Sequence, residues 1–363
     1  MRAQRRSLGL QLHPGSIRLL RLGLLAVAVL ASLRSAALLV LYHPVAVDLE
    51  IPLRATERWL RGEPPYLASA FELPAGPDLP FLYPPPLLPL LSPLTELPRW
   101  LVAGAWLLFC LGCAAYALRR LDVPARWWLL FLLSPPFLEP LIGGNVQLVM
   151  LALFAWLFFA PSEREPTFTP RSRDPAAPSL GPAKPGLAAS LIAGLKVSQA
   201  HAWAYLLVHR PGAALLGGSL VLAATIATLP MTGVDLWFEW VAQVRRAADP
   251  TWVAAGISIG AYLPPGIPPL VSLVALIAVV RVPRARAGEW VGLLTVVGAP
   301  SLHTFNVLPM LPAFLRVRRE VALLAAIFVA TLTEPGVWLA IGLTGLAYAL
   351  GERFPALREP AAA

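Results

Sequence analysis

Along this chain, long apolar runs alternate with short polar turns, and one stretch near the start breaks the pattern. Apolar runs lie near residues 19–42, 100–118, 127–141, 146–160, 187–208, 213–229, 259–280, 290–300, 305–315, 321–332 and 337–350. Each is long enough for a membrane crossing or a half-crossing. The pattern predicts an all-α, polytopic transmembrane helical bundle with roughly ten to twelve crossings or half-crossings. The exceptional stretch runs from Asp48 to Pro86 and carries acids, arginines, aromatics and prolines without a spanning apolar run. Within it, Glu50, Arg54, Glu57, Arg58 and Arg61 fall at mixed i+3 and i+4 spacings. That spacing predicts an amphipathic helix lying at the membrane surface, ended by Gly62 and the Pro64-Pro65 pair.

The whole chain, 1–363, therefore reads as one integral membrane domain. Residues 43–99 form its first outer loop, which holds the interfacial helix and the Tyr83-Pro84-Pro85 segment. Residues 161–186, rich in Pro, Ser and Arg, are expected to be a disordered cytoplasmic loop. From 187 to 208, two half-length helices meeting between Lys196 and Gln199 are preferred over one span. That choice returns His209-Arg210 to the cytoplasm, whereas a single crossing would leave the basic pair outside.

Composition agrees: 57% of residues are hydrophobic, 13% are charged, and the mean hydropathy is +0.67. A soluble domain would be about 25% charged. The formal charge of +9 does not call for nucleic acid, because most of the 29 Lys and Arg fall in the tail and the alternate turns. The positive-inside rule accounts for that placement and sets the amino terminus in the cytoplasm, ahead of an uncleaved first span. Cys110 and Cys113 spell C-x-x-C inside an apolar run, where small buried thiols for helix packing are expected rather than a redox or metal pair.

Polar residues at membrane depth or at its outer edge carry the functional signal, since each needs a partner or a task. Asp48 follows the first span directly and is placed either to act as a general base or to cap the surface helix, where an acid near the helix start is favoured by the dipole. Lys196, in an apolar and helix-breaking context, either meets an anion such as a phosphate or makes a structural ion pair. Arg34, in the outer half of the first span, either snorkels or meets the same anion. His303 lies between two apolar runs with Ser301, Thr304 and Asn306 nearby; a structural role is the plain alternative. Tyr83 with its prolines, and Asn145 with Gln147, either line a polar pocket or form a rigid turn and a helix cap. Glu139 and Glu334, each beside a proline, are expected to be solvated.

Several stretches together resemble glycosyltransferase family 87, in the membrane-embedded GT-C class. They are "VDLEIPLRATERWLRGEPPY", "FLYPPPLLPLLSPLTELP", "GGNVQLVMLALFAWLF", "LIAGLKVSQAHAWAYLLVHR" and "GAPSLHTFNVLPMLPAFL", in family order from about residue 45 to 315. Asp48, Gly62 and Tyr66 fall on marked positions of the first. Two departures stand out: Val197-Ser198-Gln199 occupies the place of a proline after the lysine, and a tryptophan before the late histidine is missing. The resemblance implies a GT-C-like fold and inverting transfer of a sugar, mannose or else arabinose, from a polyprenyl-phosphate donor to a lipid or glycan acceptor. The reaction would take place at the outer face of the cytoplasmic (inner) membrane. It implies Asp48 as catalytic base, Lys196, Arg34 and His303 as donor-phosphate groups, and Tyr66, Tyr83, Asn145 and Gln147 as pocket residues. No metal or other cofactor is expected, because no acids cluster at outer depth. The competing readings are a lipid or solute transporter and an inactive scaffold of the same fold.

Overall fold

The computed structural model describes residues 14–73, 76–160, 168, 170, 183–247, 263–264, 266–299 and 302–354. Among them the chain is all-α. The helices are α1 (Pro14–Tyr42), α2 (Val47–Leu60), α3 (Leu87–Thr95), α4 (Arg99–Arg120), α5 (Trp128–Leu133), α6 (Pro135–Gly143), α7 (Gln147–Phe158) and α8 (Ala183–Leu195). They continue with α9 (His201–His209), α10 (Pro211–Thr232), α11 (Asp235–Ala247), α12 (Ile267–Val279), α13 (Ala287–Val297), α14 (Leu311–Phe314), α15 (Arg319–Val329) and α16 (Glu334–Arg353). By length and composition α1, α4 and α10 can each cross a membrane, and α7, α8 and α12 are shorter apolar helices. Leu30, Val40, Leu108, Leu222 and Leu270 face outward on these helices, as lipid-facing side chains do.

Proline chemistry decides where runs that look continuous in sequence are divided. The run near 127–141 is two helices, not one, because Ser134 adopts an extended conformation before Pro135-Pro136, neither of which can donate a backbone hydrogen bond. The piece after Tyr83-Pro84-Pro85 folds as α3, which packs against α2. The run near 305–315 is mostly a 3-10 segment, Thr304–Met310, rather than a regular span. Most of 161–186 lies outside the described residues, as does Ser301; Ala183–Gly186 already belong to α8.

The half-helix reading of 187–208 matches the geometry. At about 20 Å and 14 Å, α8 and α9 are each too short to cross a bilayer. Near the start of α8, Gly186 lies against the start of α10 so closely that an added Cβ would sit 1.8 Å from the Ala213 carbonyl oxygen. Backbone contact there places the start of α8 and the end of α9 at the same level. The chain therefore goes in, turns at Lys196–Gln199, and comes back.

Arginines gather at the opposite end of the bundle. Arg316 and Arg286 pair with the fully buried Glu289 at 2.7 and 3.6 Å, and Arg286 reaches Glu352 at 3.5 Å. Arg21 of α1 pairs with Glu320 at 2.8 Å, beside Arg318. These pairs pin the turns that the sequence assigns to one side. Between the two ends lies the main core, where Phe154, Phe158 and Tyr205 join α7 to α9 and Cys110 is buried on α4.

Candidate active site

The site is built where α2 begins. Ala46, in the left-handed conformation (φ 56°), turns the chain out of α1, and its N–H donates to the Ile142 carbonyl at 2.7 Å. This hydrogen bond ties the start of α2 to the end of α6. There Gly143 and Gly144 permit an approach that other residues would block. A Cβ on Gly143 would lie 3.1 Å from the Asp48 Oδ2, and Gly144 adopts φ +73° with Leu49 at its back. The Trp106 indole N–H fixes the turn by donating to the Gly144 carbonyl at 2.7 Å.

This turn delivers Asn145 to Asp48. The Asn145 Nδ2 donates to Asp48 Oδ2 at 2.9 Å, while its Oδ1 accepts from the Gln147 backbone N–H at 2.9 Å. With the oxygen committed to the N-terminus of α7, only the donor end of the amide faces the carboxylate. The helix-capping alternative for Asp48 finds little support: Ala46 is the N-cap, and no side chain makes a capping bond there. Asp48 still lies in the first turn, where the helix dipole favours its charge.

A row of neutral amides continues from there. Gln147, fully buried, pairs with Gln199, whose Nε2 donates to the Gln147 Oε1 at 3.0 Å. At the apex of the α8–α9 hairpin, Lys196 Nζ donates to Asn306 Oδ1 at 2.9 Å and to Gln147 Oε1 at 3.4 Å. The same ammonium sits 5.0 Å from the Phe305 ring centre, and that ring stacks on His303 at 5.4 Å. Asp48 and Lys196 thus stand at two ends of one hydrogen-bonded row of neutral side chains. Both keep a partly accessible edge, as do His303 and Tyr83, and the space beside these edges is the candidate recess.

Tyr66 and Tyr83 belong to the wall of the site. The buried Tyr66 donates its hydroxyl to the Tyr83 carbonyl at 2.9 Å and stacks on Phe81 at 5.3 Å, holding the Tyr83-Pro84-Pro85 segment against α2. Helix α11 holds both partners, with Trp240 donating to the Leu82 carbonyl beside Tyr83 at 2.9 Å and Gln243 to the Leu67 carbonyl beside Tyr66 at 3.0 Å. The Tyr83 hydroxyl lies within electrostatic reach of Asp48. Arg34 stands apart from these residues, exposed on the outer surface of α1.

Three residues that the sequence left in the background join the site. Gln199 and Asn306 hold Gln147 and Lys196, and both are buried. Glu139, expected to be solvated, is instead partly buried on α6, with Asp48, Lys196 and Thr304 within electrostatic reach. The available signal was its place four residues before the glycine pair, which puts it on the short helix facing the site. Among the described residues no three His, Cys, Asp or Glu side chains converge to hold a metal ion.

The profile of glycosyltransferase family 87 matches residues 81–299. Among curated proteins, the polyprenol-phosphate-mannose-dependent alpha-(1-2)-phosphatidylinositol mannoside mannosyltransferase of Mycobacterium tuberculosis is 28% identical over an alignment of 225 residues, with 55% of this chain and 48% of the relative covered. The chain thus spans about half the length of the curated relative it matches. No solved structure matches it. The profile takes in Tyr83, Asn145, Gln147 and Lys196; Asp48, 33 residues before its start, and His303, 4 residues after its end, lie outside it. With more than half of its length matched, and with the site assembled from the stretches that carry the resemblance, the chain belongs to glycosyltransferase family 87.

Proposed function

We propose that this protein transfers a sugar, mannose first and arabinose next, from a polyprenyl-phosphate donor to a lipid or glycan acceptor with inversion at the anomeric carbon. One observation carries the reading: a carboxylate and an ammonium face one recess, held by neutral amides and not by each other. Family membership and the donor named for the mycobacterial relative support the choice of donor, and that relative's name supports a glycolipid acceptor.

The chemistry follows from the two charges. Asp48 accepts the proton of the acceptor hydroxyl as its oxygen forms the new bond to the anomeric carbon. From the opposite face the bond to the phosphate oxygen breaks, and its electron pair leaves with the polyprenyl phosphate. Lys196 stabilises the negative charge gathering there, with His303 beside it. A single in-line displacement needs one base, and the phosphate needs no acid to leave. Arg34, on the lipid-facing surface, would meet the donor phosphate only as the lipid enters. In this reading the arginine-rich end lies in the cytoplasm with the amino terminus, and the recess opens at the outer face of the inner membrane.

The test is transfer by the purified full chain in lipid, using radiolabelled polyprenyl-phosphate-mannose and a lipid extract from the source cells. A labelled glycolipid made by the wild type and absent with Asp48→Asn is expected. No product with mannose, arabinose or other polyprenyl-linked donors would overturn the assignment in favour of transport or scaffolding.

A further inference from the structure

Helix α11 has three faces, and the site accounts for one of them. With about 3.6 residues per turn, Leu236, Trp240 and Gln243 share a strip about 60° wide. Leu236 and Trp240 pack on the cluster around Tyr66 and Phe81, while Trp240 and Gln243 hold the Leu82 and Leu67 carbonyls. A second strip, about 40° wide, carries Asp235, Glu239 and Arg246, all exposed and all suited to water. The third carries Phe238 and Val241, with Val234 just ahead of the helix. All three are exposed apolar side chains, and Phe238 is 70% exposed. Arg245, also exposed, ends this stripe.

What covers the apolar stripe follows from where α10 ends. The 22 residues of α10 rise about 33 Å, enough to cross a hydrocarbon core of about 30 Å. At its end Gly233, with φ +70°, turns the chain into α11, whose 13 residues are too few to cross. Helix α11 therefore begins at the membrane boundary, on the side where it holds the wall of the recess. Met231, exposed in the last turn of α10, continues the lipid-facing surface of that helix into Val234 and Phe238. An apolar stripe at that depth, continuous with a lipid-facing surface, meets acyl chains. The stem of an arginine at its end lies along the same chains while the guanidinium reaches the phosphates.

We propose that α11 is an in-plane lipid-binding helix: Val234, Phe238 and Val241 seat among the upper acyl chains of the leaflet on the recess side, and Arg245 holds the phosphate of an anionic lipid there. The surface is built for the bilayer, and its assignment makes no use of the transferase reading. Seated in this way, α11 fixes the Tyr66–Tyr83 wall at headgroup depth through Trp240 and Gln243. In the proposed reaction the donor is a lipid, and its phosphate arrives at that depth.

The experiment attaches an environment-sensitive fluorophore at Phe238→Cys, Val241→Cys or Glu239→Cys in the purified full chain, held in nanodiscs of phosphatidylcholine and phosphatidylglycerol. The wild type, treated in parallel, gives the background from Cys110 and Cys113. A nitroxide on the upper acyl chain of the lipid reports lipid contact, and aqueous iodide reports water. Lipid quenching is expected to be several-fold stronger at Phe238→Cys and Val241→Cys than at Glu239→Cys, with iodide quenching in the opposite order. Moving the nitroxide from phosphatidylcholine to phosphatidylglycerol should raise the quenching at Val241→Cys, one turn from Arg245. Adding Arg245→Gln should cut that preference by up to about fivefold. Equal iodide quenching at all three positions would overturn the proposal by placing the stripe in water. Shielding of Phe238→Cys from both quenchers would overturn it too, by placing protein, such as a second copy of the chain, on the stripe. A preference for phosphatidylglycerol that is absent, or unchanged by Arg245→Gln, would overturn the phosphate role of Arg245. A chain whose stripe is quenched by lipid as expected but which transfers nothing would overturn the transferase reading and leave the role of α11 standing.

Discussion

The two faces of α2 carry similar charged residues and use them in opposite ways. On the face away from the bundle, Glu50, Arg54, Glu57, Arg58, Arg61, Asp78 and Arg99 line an open cleft of about 550 Å³. There the charges cancel one another: Arg54 meets Asp78 at 3.0 Å, Arg61 meets Glu63 at 2.9 Å, and Arg99 pairs with Glu57. Toward the bundle, Asp48 and Lys196 are held by Asn145, Gln147 and Asn306, amides that fix their positions without neutralising them. Partly exposed ion pairs contribute little, because water already screens them. A charge kept from its counter-ion in a partly desolvated site is costly, and it persists where a ligand or a reaction makes use of it. Cleft size and charge density would point to the outer face; the absence of internal compensation points to the inner one.

The sharpest way to break this contrast is Asp48→Asn, an isosteric change that keeps the shape and removes the base. Transfer should fall by about 10²- to 10⁴-fold in single-turnover assays, with unchanged elution on size exclusion. Retained activity would show that the inner face does not house the base. Lys196→Gln comes next, expected to lower kcat/KM for the donor by about 10²-fold, in the manner of losing one preorganised stabiliser of a developing anion. A loss that shows only in acceptor KM would move the phosphate elsewhere. Gly144→Ala probes the scaffold rather than the charge. Its positive φ and the nearness of the Leu49 Cβ, 3.1 Å from the added methyl, should destabilise the protein by about 1–2 kcal/mol, seen as a lower Tm. If Asn145 shifts with the turn, activity should fall further than stability alone accounts for. The smallest effect is expected on the outer face. Arg54 and Asp78 are 43% and 48% exposed, so a double-mutant cycle with alanine should give a coupling of about 1 kcal/mol or less and leave transfer unchanged. Strong loss of transfer there would bring the outer cleft into substrate binding and erase the distinction.

Much of the architecture was legible because lipid imposes a simple rule: backbone polar groups must be satisfied within helices, so apolar runs report spans and arginines report sides. The re-entrant hairpin could be read from one lysine in an apolar run followed by a basic pair. The division of 127–141 at Ser134 was less visible, since its run is apolar throughout and only the Pro135-Pro136 pair marks the break. For the site, Asp48 and Lys196 stood out because each runs against its apolar surroundings. Arg34 gave a similar signal and is exposed on α1, because an arginine in a span can reach outward as readily as inward.

Residue type and spacing alone predicted an all-α membrane bundle, an amphipathic helix after the first span and a break at Lys196. These are local or periodic properties, set by how each segment partitions between water and lipid. Which polar groups meet was settled only by the folded chain. Asp48 and Asn145 are 97 residues apart, Lys196 and Asn306 are 110 apart, and nothing in either neighbourhood specifies the other. Their meeting depends on the close backbone approach at Gly143-Gly144 and on the depth at which the hairpin turns. Glu139 shows the same limit: an acid beside a proline looks solvated in sequence, and becomes part of a charged recess only once α6 packs against α2 and the Thr304 segment.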